Sequence, residues 1–225
     1  MQTHYAFTCG GVDLKVTFTA PLFMEDLKLL SRPVNYLTYS VAARDGREHE
    51  VEVYFEASPR WALDQPYQQS ASKGYEADGL LYLKSGSKEQ NILAKQGDDL
   101  RIDWGYFYMV AGKENTAYSV GNSTELRKNF VNGTLNSASL EGEDSNGNMA
   151  LVRSHGKVKN VTDKIMLGYD DIYSIQYFGT NLRPYWNSKG DRTIEAEMLA
   201  AYNEYDKLLA RCYAFDKKLM EDASA

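Results

Sequence analysis

Paired acidic residues are the side chains of this sequence whose type and spacing come nearest to catalysis. Asp98-Asp99, Asp144 and Asp170-Asp171 supply carboxylates of the kind that flank a glycosidic bond, one acting as an acid and one as a base or nucleophile. Asp98-Asp99 follows a glycine just before a predicted strand, which is typical of a turn. Asp170-Asp171 lies between two strand-like segments, which favours a tight bend. The spacing of these residues therefore predicts no catalytic site.

Histidine, cysteine and glycine patterns argue against other kinds of site. His4, His49 and His155 fall in separate strand-like segments, without the spacing of zinc ligands, and we expect no metal. Neither a Walker loop nor a Gly-x-Ser-x-Gly elbow occurs, and we expect no cofactor. Cys9 and Cys212 are predicted to be free structural thiols. A disulfide between them stays open if the C-terminal helix packs on the first strands.

Composition sets the broad class. The 225 residues are 43% apolar and 25% charged, which is typical of a globular protein with a sizeable core. A net charge of −6 argues against a nucleic-acid partner, since phosphate backbones are bound by basic patches. The sequence contains no run of 18 apolar residues, so it predicts no membrane-spanning helix. The 17 tyrosines suit half-buried sheets, because Tyr has a high strand propensity.

Strand patterns and turns fill the chain as far as residue 187. Tyr5–Cys9 and Val12–Phe18 flank Gly10-Gly11, which is typical of a hairpin. Tyr36–Ala43 and Val51–Ala57 predict a second hairpin. Further strands are predicted at 80–83, 100–110, 149–155, 157–161, 164–169 and 172–178, a short helix at 124–132, and loops or turns at 64–73, 84–90, 112–115 and 145–148. Many short strands indicate an antiparallel sandwich or barrel.

From Asp191 to Glu221 the pattern becomes that of one long amphipathic helix, with Asp191 as its N-cap. At 1.5 Å per residue it spans about 45 Å. Apolar residues at steps of three and four form one stripe: Ile194, Met198, Ala201, Tyr202, Tyr205, Leu208, Leu209, Cys212, Phe215, Leu219 and Met220. A stripe this long needs a cover, which we expect to be the β body, a second copy of the chain or a further domain.

Two segments carry a family resemblance. Residues 20–58, APLFMEDLKLLSRPVNYLTYSVAARDGREHEVEVYFEAS, and residues 168–187, GYDDIYSIQYFGTNLRPYWN, resemble the amino-terminal region of glutaminase A-type proteins. With the Tyr-rich helix, the resemblance covers essentially the whole chain. It implies a mainly β fold, with an antiparallel β-sandwich over residues 1–187 and a linker and long helix over 188–225. That helix would lead into a larger helical domain of the six-hairpin, (α/α)-toroid type, similar to those of many glycoside hydrolases.

The resemblance also implies a function. The family name implies hydrolysis of glutamine to glutamate and ammonia, and the family is generally extracytoplasmic, so we expect a periplasmic or secreted protein whose signal peptide lies outside this chain. We expect a noncatalytic module that packs on the toroid domain of the same polypeptide and shapes one wall of its active-site cleft. The residues expected at that wall are Asp170, Asp171, Tyr173, Tyr177, Arg183, Tyr185 and Trp186.

Alternative functions stay open at this stage. Trp61, Trp104 or Trp186 would make a platform for sugar rings in a carbohydrate-binding module, since an aromatic face suits the apolar face of a pyranose. The parent protein would alternatively be a glycoside hydrolase rather than a glutaminase, or the chain an independent enzyme. A carbohydrate or amino acid is the expected ligand class, and the long helix is a candidate dimer contact.

Overall fold

The computed structural model describes residues 1–98, 100–135 and 147–224 and shows a mainly β protein with one long C-terminal helix. In chain order the strands are β1 Gln2–Cys9, β2 Val12–Thr19, β3 Val34–Ala43, β4 His49–Ala57, β5 Ser70–Ala77, β6 Leu80–Ser87, β7 Tyr106–Gly112, β8 Thr116–Gly121, β9 Asn148–Val158, β10 Asn160–Asp170, β11 Ile175–Tyr177 and β12 Thr180–Leu182. The helices are α1 Leu27–Ser31, α2 Ser123–Val131 and α3 Ile194–Ala223, and short 3₁₀ turns lie at Pro59–Ala62 and Tyr185–Asn187.

Two antiparallel sheets face each other and confirm the predicted sandwich. The larger has the strand order β1-β2-β3-β10-β7-β6-β5, the smaller β4-β9-β8, and β11 and β12 form a separate hairpin. The inner faces meet in one hydrophobic core, to which β3, β7 and β10 contribute Leu37, Phe107 and Ile165, and β9 contributes Leu151. The unequal width of the two sheets leaves part of the larger sheet without a facing partner.

The helix α3 packs on the outer face of the seven-stranded sheet. Its stripe forms a second core with β3, β6, β7 and β10, and the buried members of the stripe are Ile194, Met198, Ala201, Tyr205, Leu208 and Cys212. The Tyr36 hydroxyl donates to the carbonyl of Ala201 at 2.9 Å. Arg32 also holds the helix through Glu197 at 3.0 Å. The predicted docking of the stripe on the sandwich is confirmed, and these residues are consequently not available for a dimer.

Local signals predicted the first hairpin and the helix well. β1 and β2 pair over their whole length through the Gly10-Gly11 turn, in which Gly10 has a φ of 55°. The start of α3 differs from the prediction, because Thr193 is the N-cap and its hydroxyl accepts from the amide of Ala196. For α2 the cap is Asn122, one residue before the predicted Ser123 or Thr124.

The predicted second hairpin is wrong, although both of its strands exist. β3 pairs with β2 and β10, whereas β4 pairs with β9 in the other sheet. The turn between them therefore carries the chain across the sandwich. At this corner the amide of Ala43 donates to the carbonyl of Lys159, and the amide of Arg44 donates to the carbonyl of Gly11, both at 2.8 Å.

Other element boundaries also differ. The predicted strand 100–110 begins only at Tyr106, because Gly105 adopts a φ of 79° that interrupts the extended backbone. The predicted strand 172–178 is shortened to Ile175–Tyr177, since Ile172 has a φ of 61°. Strands replace parts of the predicted loops 64–73 and 84–90, and β8 was not predicted. The first half of the predicted turn 145–148 lies outside the described residues, and its last residue, Asn148, begins β9. Within the described residues, no helix is long and apolar enough to cross a bilayer.

Candidate functional site

The residues expected at a cleft wall are Asp170, at the end of β10, and six residues of the connector, which we define as residues 171–193 between β10 and α3. At its start Asp170 is tied to the backbone, since its Oδ1 accepts from the amide of Ile172 at 3.0 Å. Burial raises the pKa of Asp170, and the charge of Asp171 acts in the same direction. The Asp170-Asp171 pair therefore forms the bend that the sequence favours, and its first carboxylate is occupied in holding that bend.

The first part of the connector is anchored to the seven-stranded sheet by an aromatic cluster. The Trp104 indole donates from Nε1 to the carbonyl of Tyr173 at 3.0 Å, and the Tyr169 hydroxyl donates to the carbonyl of Trp104. The guanidinium of Arg183 lies 4.7 Å from the centre of the Tyr173 ring. Gly105 lies directly under the connector, where a Cβ would overlap the carbonyl oxygen of Asp170. This part of the connector is thus fixed in place.

The middle of the connector projects as the hairpin β11–β12. Phe178 and Gly179 form its turn with φ values of 44° and 77°. Phe178 is 91% exposed, and its ring lies 4.5 Å from that of Tyr177, which is also exposed. Ile175 extends the exposed apolar surface along β11. Apolar rings held this far into solvent are typical of a contact surface.

The end of the connector returns to the body of the protein. Trp186 is only 4% exposed and packs with Phe23, Leu29 and Ile194 in the core beneath α3. The neighbouring Tyr185 is exposed. The seven expected wall residues therefore divide into a buried Trp186, a half-buried group of Asp170, Asp171, Tyr173 and Arg183, and the exposed Tyr177 and Tyr185.

The tryptophans proposed as a sugar platform differ in their surroundings. Trp61 is 63% exposed and its ring lies 5.1 Å from that of Phe107, at the mouth of a cavity of about 380 Å³. Trp104 is half-buried and anchors the connector. Burial of Trp186 contradicts its expected exposure, because the 3₁₀ turn directs it under α3. Of the three, Trp61 keeps an open aromatic face.

Histidine and cysteine side chains lie in separate places. His4 pairs with the Thr17 hydroxyl at 3.0 Å and His49 with Asp45 at 2.9 Å, on opposite faces of the chain. Among the described residues, no three His, Cys, Asp or Glu side chains come together as a metal site. Both cysteines are free, which contradicts a disulfide, since Cys212 is buried on the inner side of α3 and Cys9 is exposed at the end of β1. Burial raises the pKa of the Cys212 thiol.

One polar cluster, centred on Tyr39, was not predicted from the sequence. The Tyr39 hydroxyl lies 2.8 Å from Nε2 of His155 and 3.2 Å from Asp163, and Arg153 binds the same carboxylate at 2.6 Å. Burial raises the pKa of Tyr39 and lowers that of His155. These residue types would suit proton transfer, but Tyr39 is almost fully buried and His155 and Asp163 are only partly exposed. The cluster joins β3, β9 and β10, and no spacing in the sequence signals this meeting.

Comparison with known proteins adds a family. The model of a domain of unknown function, DUF5127, matches residues 1–222. Glutaminase A of Aspergillus oryzae (strain ATCC 42149 / RIB 40) is 26% identical over 229 residues, which cover 94% of this chain and 32% of that protein. The chain therefore spans about a third of the length of this curated relative. The similarity confirms the resemblance to glutaminase A-type proteins seen in the sequence.

Proposed function

The chain belongs to the DUF5127 family, and we propose that it is a noncatalytic β-sandwich module of a glutaminase-related protein. Its proposed role is to pack against a larger helical domain of the same polypeptide and to shape one wall of the active-site cleft there. Its coverage of about a third of glutaminase A supports the existence of further sequence for it to contact. Clefts form preferentially where domains meet.

The observation that carries the proposal is the exposed aromatic hairpin on an anchored base. Trp104 and Arg183 fix the base of the connector through Tyr173, while Phe178 and Tyr177 project from its tip. An anchored base lowers the conformational entropy lost on binding, which leaves more of the burial energy of the rings for association. Aromatic anchors of this kind commonly dominate interface energetics.

The distribution of polar groups supports a noncatalytic role. Asp170 is engaged by the backbone of its own bend, and Tyr39 of the Tyr39–His155–Asp163 cluster is almost fully buried. A catalytic acid and base must instead reach the reacting atoms within hydrogen-bonding distance. The proposal therefore assigns the chemistry of the parent protein to sequence outside this chain.

The test compares residues 1–225 with the longer parent polypeptide in two assays, release of ammonia from glutamine and cleavage of nitrophenyl glycosides. We expect activity in the parent and none in residues 1–225. Equal activity in the two would overturn the noncatalytic assignment. The identity of the substrate cleaved by the parent separates a glutaminase from the alternative, a glycoside hydrolase.

A second arm tests the hairpin within the parent polypeptide. Phe178→Ser, combined with Tyr177→Ser, should lower the thermal stability of the domain contact and alter KM, because the two rings lose their apolar partners. Tyr67→Ser is the matched control, since Tyr67 is also strongly exposed but lies on a different loop. Identical melting curves and KM values for the hairpin variant and the control would remove the hairpin from the interface.

The proposal includes a location outside the cytoplasm, either periplasmic or secreted, which follows from the family resemblance. Fractionation of cells that produce the full-length protein tests it. Recovery of the protein with cytoplasmic markers would contradict this part of the proposal without affecting the architecture.

A further inference from the structure

The inner face of the β1–β2 hairpin is not covered by the second sheet. The seven-stranded sheet ends with β1 and β2, and the three-stranded sheet ends with β4, so the hairpin extends past the facing layer. Leu14 and Val16 reach the edge of the inner core. Further along the same face, Tyr5 is 49% exposed, Phe7 is 53% exposed, and Phe18 is also open to solvent. This overhang presents exposed aromatic side chains.

The rings on the overhang are arranged as a platform. Tyr5 and Phe7 are stacked with nearly parallel planes, with ring centres 6.4 Å apart and planes inclined by 11°. Phe18 meets Tyr5 edge to face at 6.0 Å and closes one end. Residues two apart on a strand point to the same face, so the platform follows from the β1 sequence itself. The two parallel, half-exposed rings together offer more apolar surface than a single aromatic side chain.

Two cavities at the edge of the sandwich are lined by other residues of β1 and β2, and neither is lined by Tyr5 or Phe7. One, of about 470 Å³, lies between the β1–β2 hairpin and β4 and is lined by Leu14, Val53 and His49. The other has a volume of about 380 Å³ and is lined by Phe18, Asn35 and Trp61. We name the platform and the two cavities together the edge groove. The edge groove combines aromatic rings with polar side chains such as His49 and Asn35, so it is not purely apolar.

The charge of the edge groove restricts its ligand. All residues of β1 and β2 on the inner face are uncharged: Thr3, Tyr5, Phe7, Cys9, Val12, Leu14, Val16 and Phe18. Glu50 and Glu52 line the larger cavity, and the chain carries a net charge of −6. Their carboxylates accept hydrogen bonds from hydroxyl groups but repel anions. The edge groove is therefore complementary to an elongated, uncharged ligand that has both apolar faces and hydroxyl groups.

We propose that the edge groove binds a neutral polysaccharide chain, with sugar rings stacked on Tyr5, Phe7 and Trp61. A pyranose has an apolar face for the rings and equatorial hydroxyl groups for Asn35, His49 and the two carboxylates. This site is independent of the proposed domain contact, because the hairpin β11–β12 takes no part in it. It also differs from the platform expected from the sequence, since Trp104 is replaced by residues of β1 and β2.

Affinity electrophoresis of residues 1–225 tests the proposal with gels that contain xylan, mannan, mixed-linkage glucan, xyloglucan or starch. Isothermal titration with the matching hexasaccharide then gives the association constant. We expect retardation by at least one neutral polymer and none by polygalacturonate, which is anionic. Loss of both rings in Tyr5→Ala with Phe7→Ala should lower the association constant about tenfold or more.

A control variant and a folding check separate specific sugar binding at this site from nonspecific binding. Tyr177→Ala with Phe178→Ala removes two exposed rings that line neither cavity and should leave sugar binding unchanged. Circular dichroism checks that each variant is folded, which we expect because Tyr5 and Phe7 are half-exposed. The proposal is overturned by no binding of any neutral polymer at millimolar sugar, or by equal binding of the Tyr5–Phe7 variant.

Sedimentation tests whether a second copy of the chain, rather than a polysaccharide, occupies the edge groove. Among the strands that the structure describes, β1 pairs with β2 alone and forms the edge of its sheet, which also suits pairing with a second chain. A dimer that dissociates in the Tyr5–Phe7 variant, without any sugar binding by the wild type, would assign the edge groove to self-association and refute the polysaccharide site. Failure of the polysaccharide test leaves the activity comparison for the parent polypeptide untouched, so the two proposals fail separately.

Discussion

Replacing Met198 by Ala tests whether α3 is held by the outer core. Met198 is 0% exposed and lies among Tyr36, Tyr108 and Met166. Its Cε lies against Gly168, where even a Cβ would overlap it, so the methionine fills the space that the glycine leaves. Truncation removes these contacts and leaves a cavity, because the sheet below is fixed by its hydrogen bonds on both sides of β10.

The magnitude follows from burial and chain length. Large-to-small substitutions of a buried methionine cost about 2–5 kcal/mol, a large part of the stability of a typical domain. For chains of this size, each kcal/mol changes the melting temperature by about 2–4 °C. We therefore expect Met198→Ala to lower the melting temperature by about 4–20 °C. Leu219→Ala is the matched control, since Leu219 lies on the same helix but is 55% exposed, and its change should stay within about 0.5 kcal/mol.

The assay is urea unfolding followed by helical circular dichroism and by aromatic fluorescence. Coincident transitions are expected, because the helix and the seven-stranded sheet share one core. The reasoning would be refuted if Met198→Ala and Leu219→Ala lost the same stability. It would also be refuted if the helical signal of the wild type disappeared well before the fluorescence changed, since the helix would then not depend on the sheet.

Two further predictions concern backbone space and pH. Gly105→Ala should cost more than Gly46→Ala in chemical unfolding, by roughly 1–3 kcal/mol, because both have left-handed φ values but only at Gly105 would a Cβ overlap the Asp170 carbonyl; equal losses would show that backbone strain alone decides. Burial holds the pKa of His155 in the folded protein below its usual 6.5. At a pH between the folded and the unfolded pKa, the unfolded chain therefore binds more protons than the folded one, so the free energy of unfolding decreases as the pH falls below about 6.5. His155→Gln should flatten this pH dependence of the unfolding midpoint, and an unchanged slope in that variant would assign it to other groups.

Features encoded by neighbouring residues were predictable. Gly10-Gly11 and the alternation of β2 specify the first hairpin, because both strands and their turn lie within one short segment. Periodicity specifies α3, and Tyr205 and Cys212 on its stripe are buried as expected. The bend at Asp170-Asp171 also follows from sequence, since a short polar pair between strands favours a turn.

Features that depend on distant pairing were not predictable. The sequence of β3 and β4 predicts a hairpin, but pairing of β3 with β10 and of β4 with β9 joins segments more than ninety residues apart. The same long-range pairing brings Tyr39 to His155 and Asp163, which share no spacing in the sequence. Local pattern cannot rank such pairings, because many strands have similar faces and the packing of both sheets together decides between them.

The sequence by itself determined the mainly β class, the long helix, the family and the aromatic content of the connector. Tertiary structure decided which aromatic rings are available: it buried Trp186 under α3, engaged Trp104 in the connector and left Phe178 in solvent. It also left Tyr5 and Phe7 open. The physical reason is that exposure depends on what lies opposite a residue, and here a seven-stranded sheet faces a sheet of only three strands.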